Sequence, residues 1–280
     1  MNLFKKLVAV SMTVTMAAAM AGCGGGTAGG DAEALLQKAN ETMSTVKSAS
    51  MDMVMDYGMQ MGEESMDMQM NSKIDYIDKD GIKMNMKMDI KMGDTSMGEQ
   101  QMYAQQDGEN VITYANINGT WMKQSAPIGD FEQYDAAESM KLYLENLASF
   151  KAEGNEKVND IDATIIAGVL SGDSMKEAMA ASNLEAMTQS MGMSEDDLMA
   201  MLDSLGELPI KLWIAEDGHV MKIEMDMTTL MQAVMDKLFE EYDSEEAQGL
   251  TITKTAVTMT YSNYDAVEDF EIPAEALAAA

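Results

Sequence analysis

The chain has 280 residues, 46% of them apolar, and carries 48 acidic side chains against 18 basic ones for a formal charge of −30. Every basic residue is a lysine, so the protein repels phosphate backbones and lacks the guanidinium fork that such ligands usually meet; nucleic-acid binding is excluded on those grounds. With only three prolines and this apolar content the chain reads as a folded globule, long enough for one large domain or two small ones.

Taken from its start, the sequence opens with Lys5 and Lys6 and then an apolar run from Leu7 to Ala21. A run of about 15 residues is the length of a signal-peptide core and is short of what a spanning helix needs. It ends Met20-Ala21-Gly22-Cys23, which resembles a bacterial lipobox: small residues let a peptidase approach, and one thiol is available for a thioether-linked lipid. Cys23 is the only cysteine, so no internal disulfide forms and a packed core must supply the stability. Residues 24–30 are a glycine-rich tether with nothing to bury. The expectation is a signal peptide over 1–22, a lipidated Cys23 with its tether over 23–30, and one domain over 31–280. That domain is expected to be monomeric and held by its lipid at the extracytoplasmic face of a membrane.

A helix is expected over Asp31–Val46, where Ala34, Leu35, Ala39, Met43 and Val46 recur at helical spacing. Strict alternation follows. Met51, Met53, Met55, Tyr57, Met59 and Met61 share one face, opposite Asp52, Asp56 and Gln60. After the turn Gly62–Ser65, the positions Met66, Met68, Met70, Ser72, Ile74 and Tyr76 alternate again. After Asp78–Gly81 come Ile82, Met84, Met86, Met88, Ile90 and Met92. Period-two runs separated by turn residues predict an antiparallel meander with one dry face, and the methionines lie on it. The meander continues through Gln101–Gln105, Asn110–Ile117 and Thr120–Gln124. Helical periods are expected over Asp130–Phe150, Ser174–Ser190 and Ser194–Leu205, with a strand-like run at Val158–Leu170. A hairpin over Leu208–Ala215 and His219–Met227 is closed by the two-residue turn Asp217-Gly218. A helix at Thr228–Tyr242 and strands at Leu250–Asn263 and Asp269–Ile272 complete the order, and Pro273 stops the last. The fold class is α+β: a large, curved, mostly antiparallel sheet interrupted and covered by helices, with no βαβ alternation.

In its order of motifs the chain resembles the LppX/LprG-type lipoproteins, whose domain is related to the LolA-like unclosed barrel. The resemblance runs over residues 31–275. It comprises the lipobox Cys23, the leading helix Ala34–Val46 ending in Ser48-Ala49-Ser50, and a meander leading to Asn118-Gly119-Thr120-Trp121. It continues with Glu156–Ala163, Lys211-Leu212-Trp213-Ile214 followed by Asp217-Gly218, Tyr261–Tyr264, and Ile272-Pro273. The resemblance implies a curved sheet whose helices enclose an apolar cavity for acyl chains, in proteins that bind or shuttle lipids and lipid-linked glycans. In such an arrangement Trp213 would point toward the sheet interior. The extreme methionine content and the acidity depart from the family and leave the ligand unnamed.

The 34 methionines admit three readings. They are core packing with no further role, or a deformable apolar pocket for lipid tails, or thioethers that capture Cu(I). Methionine as an oxidant sink is a weaker fourth. A pocket would be walled by Met53, Met55, Met68, Met70, Met84, Met86, Met88, Ile90 and Trp213. The sequence reading favours this pocket and expects no metal, with a filled-core structural lipoprotein as the alternative. Exposed, loop-borne methionine clusters would instead favour copper. No cofactor and no catalysis are expected. His219 is the single histidine, placed as a surface residue after a turn, so His-based triads are excluded, and no carboxylate pair stands out from the acidic surface. Asp78–Gly81 fails as a calcium loop, because aligning Gly81 puts Tyr76 and Lys87 at the first and last ligand positions.

Overall fold

The computed structural model describes residues 28–117, 119–128, 150–170, 194, 207–242 and 250–279. We number its elements α1 (Ala28–Met43), β1 (Ser48–Met61), β2 (Glu64–Asp78), β3 (Ile82–Met92), β4 (Thr95–Asp107), β5 (Asn110–Ile117) and β6 (Thr120–Pro127). They continue as β7 (Lys151–Val158), β8 (Ile161–Leu170), β9 (Leu208–Ala215), β10 (Val220–Asp226), α2 (Thr228–Tyr242), β11 (Leu250–Ser262) and α3 (Ala274–Leu277). All eleven strands join one sheet in the order β6-β5-β4-β3-β2-β1-β11-β10-β9-β8-β7. Every pairing is antiparallel, and the sheet stays open between its edge strands β6 and β7.

The alternation written into β1–β3 determines which side is dry. Residues paired across antiparallel strands point the same way, so Met51 shares a face with Tyr261, Ile74, Met86 and Met102. The same face continues through Met259 and Ile223 to Leu212 and Ile166. All of these but the half-buried Met102, which packs against them, form one buried cluster with Ala32, Leu36 and Ala39 of α1, and Leu230, Ala233 and Val234 of α2 pack against it. Helix α1 can do this because those three apolar residues recur every three or four positions along one stripe. The outer face is polar over its middle, with cross-strand pairs such as Lys73–Asp52 and Lys254–Asp56, each at 2.8 Å. A second cluster on that outer face holds Tyr103 and Tyr114 against Ile272 and Ala276 of the C-terminal segment.

Four expectations change. Lys151–Val158 is a strand that pairs with β8, although its sequence shows no apolar alternation. It is an edge strand with charged, exposed residues, which blunts further pairing and leaves no hydrophobic period to read. Asp269–Ile272 is not a strand; the segment crosses the outer face, and Phe270 and Ile272 dock against the ring cluster of Tyr103 and Trp121. The β9–β10 connection has four residues, Glu216–His219, with Gly218 at φ +97°. His219 is a packed residue: its ring stacks on Tyr264 with centroids 4.5 Å apart and only about a quarter of the side chain is exposed. The expected helices at 130–150, 174–190 and 194–205 fall almost wholly outside the described residues.

Candidate functional site

The inner face of β1, β2 and β3 brings most of the expected wall residues together in successive rows. One row runs Met259, Met53, Ser72, Met88 across β11, β1, β2 and β3. The next runs Val257, Met55, Met70, Ile90, and the next Thr255, Tyr57, Met68, Met92. Met84 and Met86 continue the buried side of the face on β3.

Burial falls steadily along these rows. Met53, Met84 and Met86 are buried, and Met53 retains only 1% of its surface. Met55, Met68, Met70, Met88 and Ile90 are half-buried. At the hairpin tips Met61 is 50% exposed, and Met66 and Met92 are 42% exposed. The residues therefore divide into a packed core and an adjoining apolar patch that the fold covers incompletely. Methionine suits both, since its flexible, polarizable chain fills irregular space and adapts to varied apolar partners.

A polar atom sits in the middle of this surface. Ser72 Oγ is buried and has no hydrogen-bond partner among the described residues. A buried hydroxyl left unpaired costs on the order of 1–3 kcal/mol, so its presence in a methionine row is a defect in packing terms. Ser72 stands at an inward position of the alternation, but sequence gives no sign that its hydroxyl lacks a partner. The β11 contributions, Val257, Met259 and Tyr261, show the same period-two signal as the methionine strands.

Trp213 does not belong to this face. It pairs with Lys222 and Ile165, one residue out of phase with the inward Leu212 and Ile214, and it packs with Val158, Ala163, Ala215 and Met221. Its indole N–H donates to Glu156 Oε2 at 2.8 Å, and Lys222 Nζ lies 4.2 Å above the ring. The indole is an anchor of the outer face, with its polar edge satisfied and a cation on its π-face.

A groove of about 470 Å³ also lies on the outer face, lined by Ala167, Val169, Pro209, Ala256 and Thr258 and by the ion pair Lys211–Glu153 at 2.8 Å. It is separated by the sheet itself from the methionine rows. Among the described residues, no group of three or more His, Cys, Asp or Glu side chains converges to hold a metal ion. None of the described helices is long and apolar enough to cross a membrane. Cys23 precedes the described residues.

Comparison with known proteins places the chain in a family. A model described as a family of unknown function, DUF6612, matches residues 31–280, and the chain belongs to that family. No curated protein matches it. Among solved structures the chain is similar to the lipoprotein LppX from Mycobacterium tuberculosis, at 11% identity and a TM-score of 0.46, over 85% of this chain and 97% of that one. It is also similar to LprF from Mycobacterium bovis, at 14% identity and a TM-score of 0.46, over 90% and 100% of the two chains. A LolA superfamily protein from Nitrosomonas europaea matches at 7% identity with a TM-score of 0.24, over 88% and 96%.

Proposed function

We propose that this member of the DUF6612 family is a membrane-anchored extracytoplasmic lipoprotein that binds an apolar ligand, a lipid or lipid-linked molecule, on the methionine face of its sheet. The observation that carries the reading is the run of half-buried apolar side chains Met55, Met68, Met70, Met88 and Ile90 beside a fully packed core. A globular protein closes such a surface or uses it. An acyl chain laid along these rows would be held by apolar burial, at about 25 cal/mol per Å² removed from water, with adaptable thioether chains taking up differences in ligand shape. Ser72 would offer an inward hydroxyl near the middle of the surface, within the chemistry of an ester or hydroxyl of the ligand.

The anchor follows from the leader of the sequence. The lipobox-like Met20-Ala21-Gly22-Cys23 would leave a lipidated Cys23, and residues 24–27, ahead of α1, would let the domain move near the bilayer. Binding without catalysis is the mechanism: the protein excludes water, holds the ligand and releases it.

The test is native mass spectrometry of the full chain purified from a bacterial membrane fraction, followed by organic extraction and lipid analysis. A stoichiometric lipid is expected, and Met70→Asp with Met88→Asp should remove it while far-UV circular dichroism is unchanged. These positions are half-buried, so the charge reaches the binding surface without entering the packed core. A clean apo mass, unchanged after incubation with vesicles, would overturn the reading in favour of a structural lipoprotein with a filled core.

A further inference from the structure

The open end of the methionine face carries a second arrangement, which shares Met68 with the half-buried rows but does not rest on lipid binding. Met59 on β1 is the direct cross-strand partner of Met66 on β2, and Met68 on β2 is the direct partner of Met92 on β3. Met66 and Met68 are two residues apart on one strand, so all four side chains share one face. Directly opposed residues have Cβ atoms about 4.5–5.5 Å apart, and i, i+2 neighbours about 7 Å apart. Met66, Met68 and Met92 are mutual neighbours, and three rotatable bonds let their thioether sulfurs swing toward a common point, while Met59 lies two strands from Met92 and outside that reach. Met59 and Met68 are half-buried and Met66 and Met92 are 42% exposed, so the sulfurs are reachable without opening the core.

The charge around this end matches a cation. Glu63 and Glu64 in the β1–β2 hairpin, Asp67 beside Met66 and Asp94 in the β3–β4 turn are all exposed, and Lys91 of β3 alternates to the opposite face from Met92. A surface this acidic disfavours anionic headgroups. The carboxylates do not converge into a group that could hold a hard metal ion. Thioether sulfur is a soft donor and selects soft ions. An apolar rim would be served as well by leucine, which resists oxidation. At this end the inward positions 59, 61, 66, 68 and 92 are Met, beside the inward Tyr57 and Glu64.

We infer that Met66, Met68 and Met92 form a thioether site for a soft monovalent cation, Cu(I), between the tips of the β1–β2 and β3–β4 hairpins. The ion binds in its reduced form and no electron is transferred.

The experiment is an anaerobic Cu(I) titration of the full chain carrying Cys23→Ser, which removes the competing thiol, with ascorbate present and a chromophoric Cu(I) chelator as competitor. One Cu(I) per chain is expected, with only sulfur neighbours by X-ray absorption. Met66→Leu with Met92→Leu keeps the apolar volume and should weaken binding by about tenfold or more. Met122→Leu, at an exposed methionine on the edge strand β6, should leave it unchanged. Urea midpoints equal to the parent's would show that the variants are folded. No Cu(I) retained against the chelator, or equal losses in the Met122 variant and the double variant, would overturn the site. Lipid retention by the double variant is read separately, so failure here leaves the lipid reading standing.

Discussion

Gly218 sits where a side chain has no room. Its φ is +97°, and a Cβ there would lie 2.5 Å from Thr42 Oγ1 and 2.9 Å from the Lys38 carbonyl oxygen of α1. The helix is held down on this connection from both sides: Lys38 Nζ donates to the Glu216 carbonyl at 2.6 Å and Thr42 Oγ1 to that of Asp217 at 3.0 Å. Burial pushes the Asp217 carboxyl up, but the His219 backbone N–H and ring outweigh it and hold it below the usual range. Gly218→Ala should therefore lose about 2 kcal/mol or more, from the left-handed backbone and from lifting α1 off the hairpin. A urea unfolding midpoint within error of the parent's would show that α1 is not fastened there. Ser72 argues in the opposite direction. Its hydroxyl is buried without a partner among the described residues, so Ser72→Ala should raise stability by about 1 kcal/mol. Loss of stability in the same assay would mean that the hydroxyl is satisfied in solution.

The C-terminal segment works as a strap across the outer face of β1–β6. Asp265 N–H donates to the Ser48 carbonyl at 2.8 Å, Lys83 pairs with Asp269 and lies over the Phe270 ring, and Ile272 and Ala276 pack on Tyr103 and Tyr114. Ile272→Ala should cost about 2 kcal/mol or more, since the side chain is buried in a small cluster that cannot collapse around the gap. The Lys83 ammonium holds the Asp269 carboxyl below its ordinary value, so the contact is present above about pH 4 and is lost as the pH falls through the lowered value. Protection factors over residues 265–273, taken relative to the intrinsic exchange rate at each pH, should be lower at about pH 2 than at about pH 5, and equal protection would show that the apolar contacts alone hold the strap. Sequence could not reveal this segment as a strap. Phe270 and Ile272 alternate like a strand because both reach into one patch, and only the fold shows that no strand lies beside them. Trp213 failed for a related reason. It stands in the continuous apolar run Leu212-Trp213-Ile214-Ala215, all buried, so the parity that separates inward from outward positions is absent. In β1–β3 a polar residue separates most inward side chains, and there the face of each methionine was legible one by one. What alternation could not say was depth: the same Met-x-Met pattern describes Met53 in the core and Met61 in solvent.

The whole molecule carries −30, and that sign competes with the ion pairs laid over its surface. Pairs such as Lys73–Asp52, Lys157–Asp162 and Lys211–Glu153 are well exposed, and solvent leaves each of them a small contribution to stability. Salt weakens these contacts, but it also screens repulsion among 48 carboxylates that face only 18 ammonium groups. At 0.1 M the Debye length is about 10 Å, comparable to the spacing of charges over several strands, so low salt leaves the long-range repulsion largely intact. An excess of this size acts across the whole surface, whereas each attraction is local and already weak; repulsion is the larger effect. The urea midpoint should therefore rise between about 10 mM and 0.5 M sodium chloride, in the range where screening sets in. A falling midpoint would mean that the lysine–carboxylate ladders of the outer face outweigh the net charge. An acidic surface would then be a source of cohesion in this protein rather than a load that its apolar core must carry.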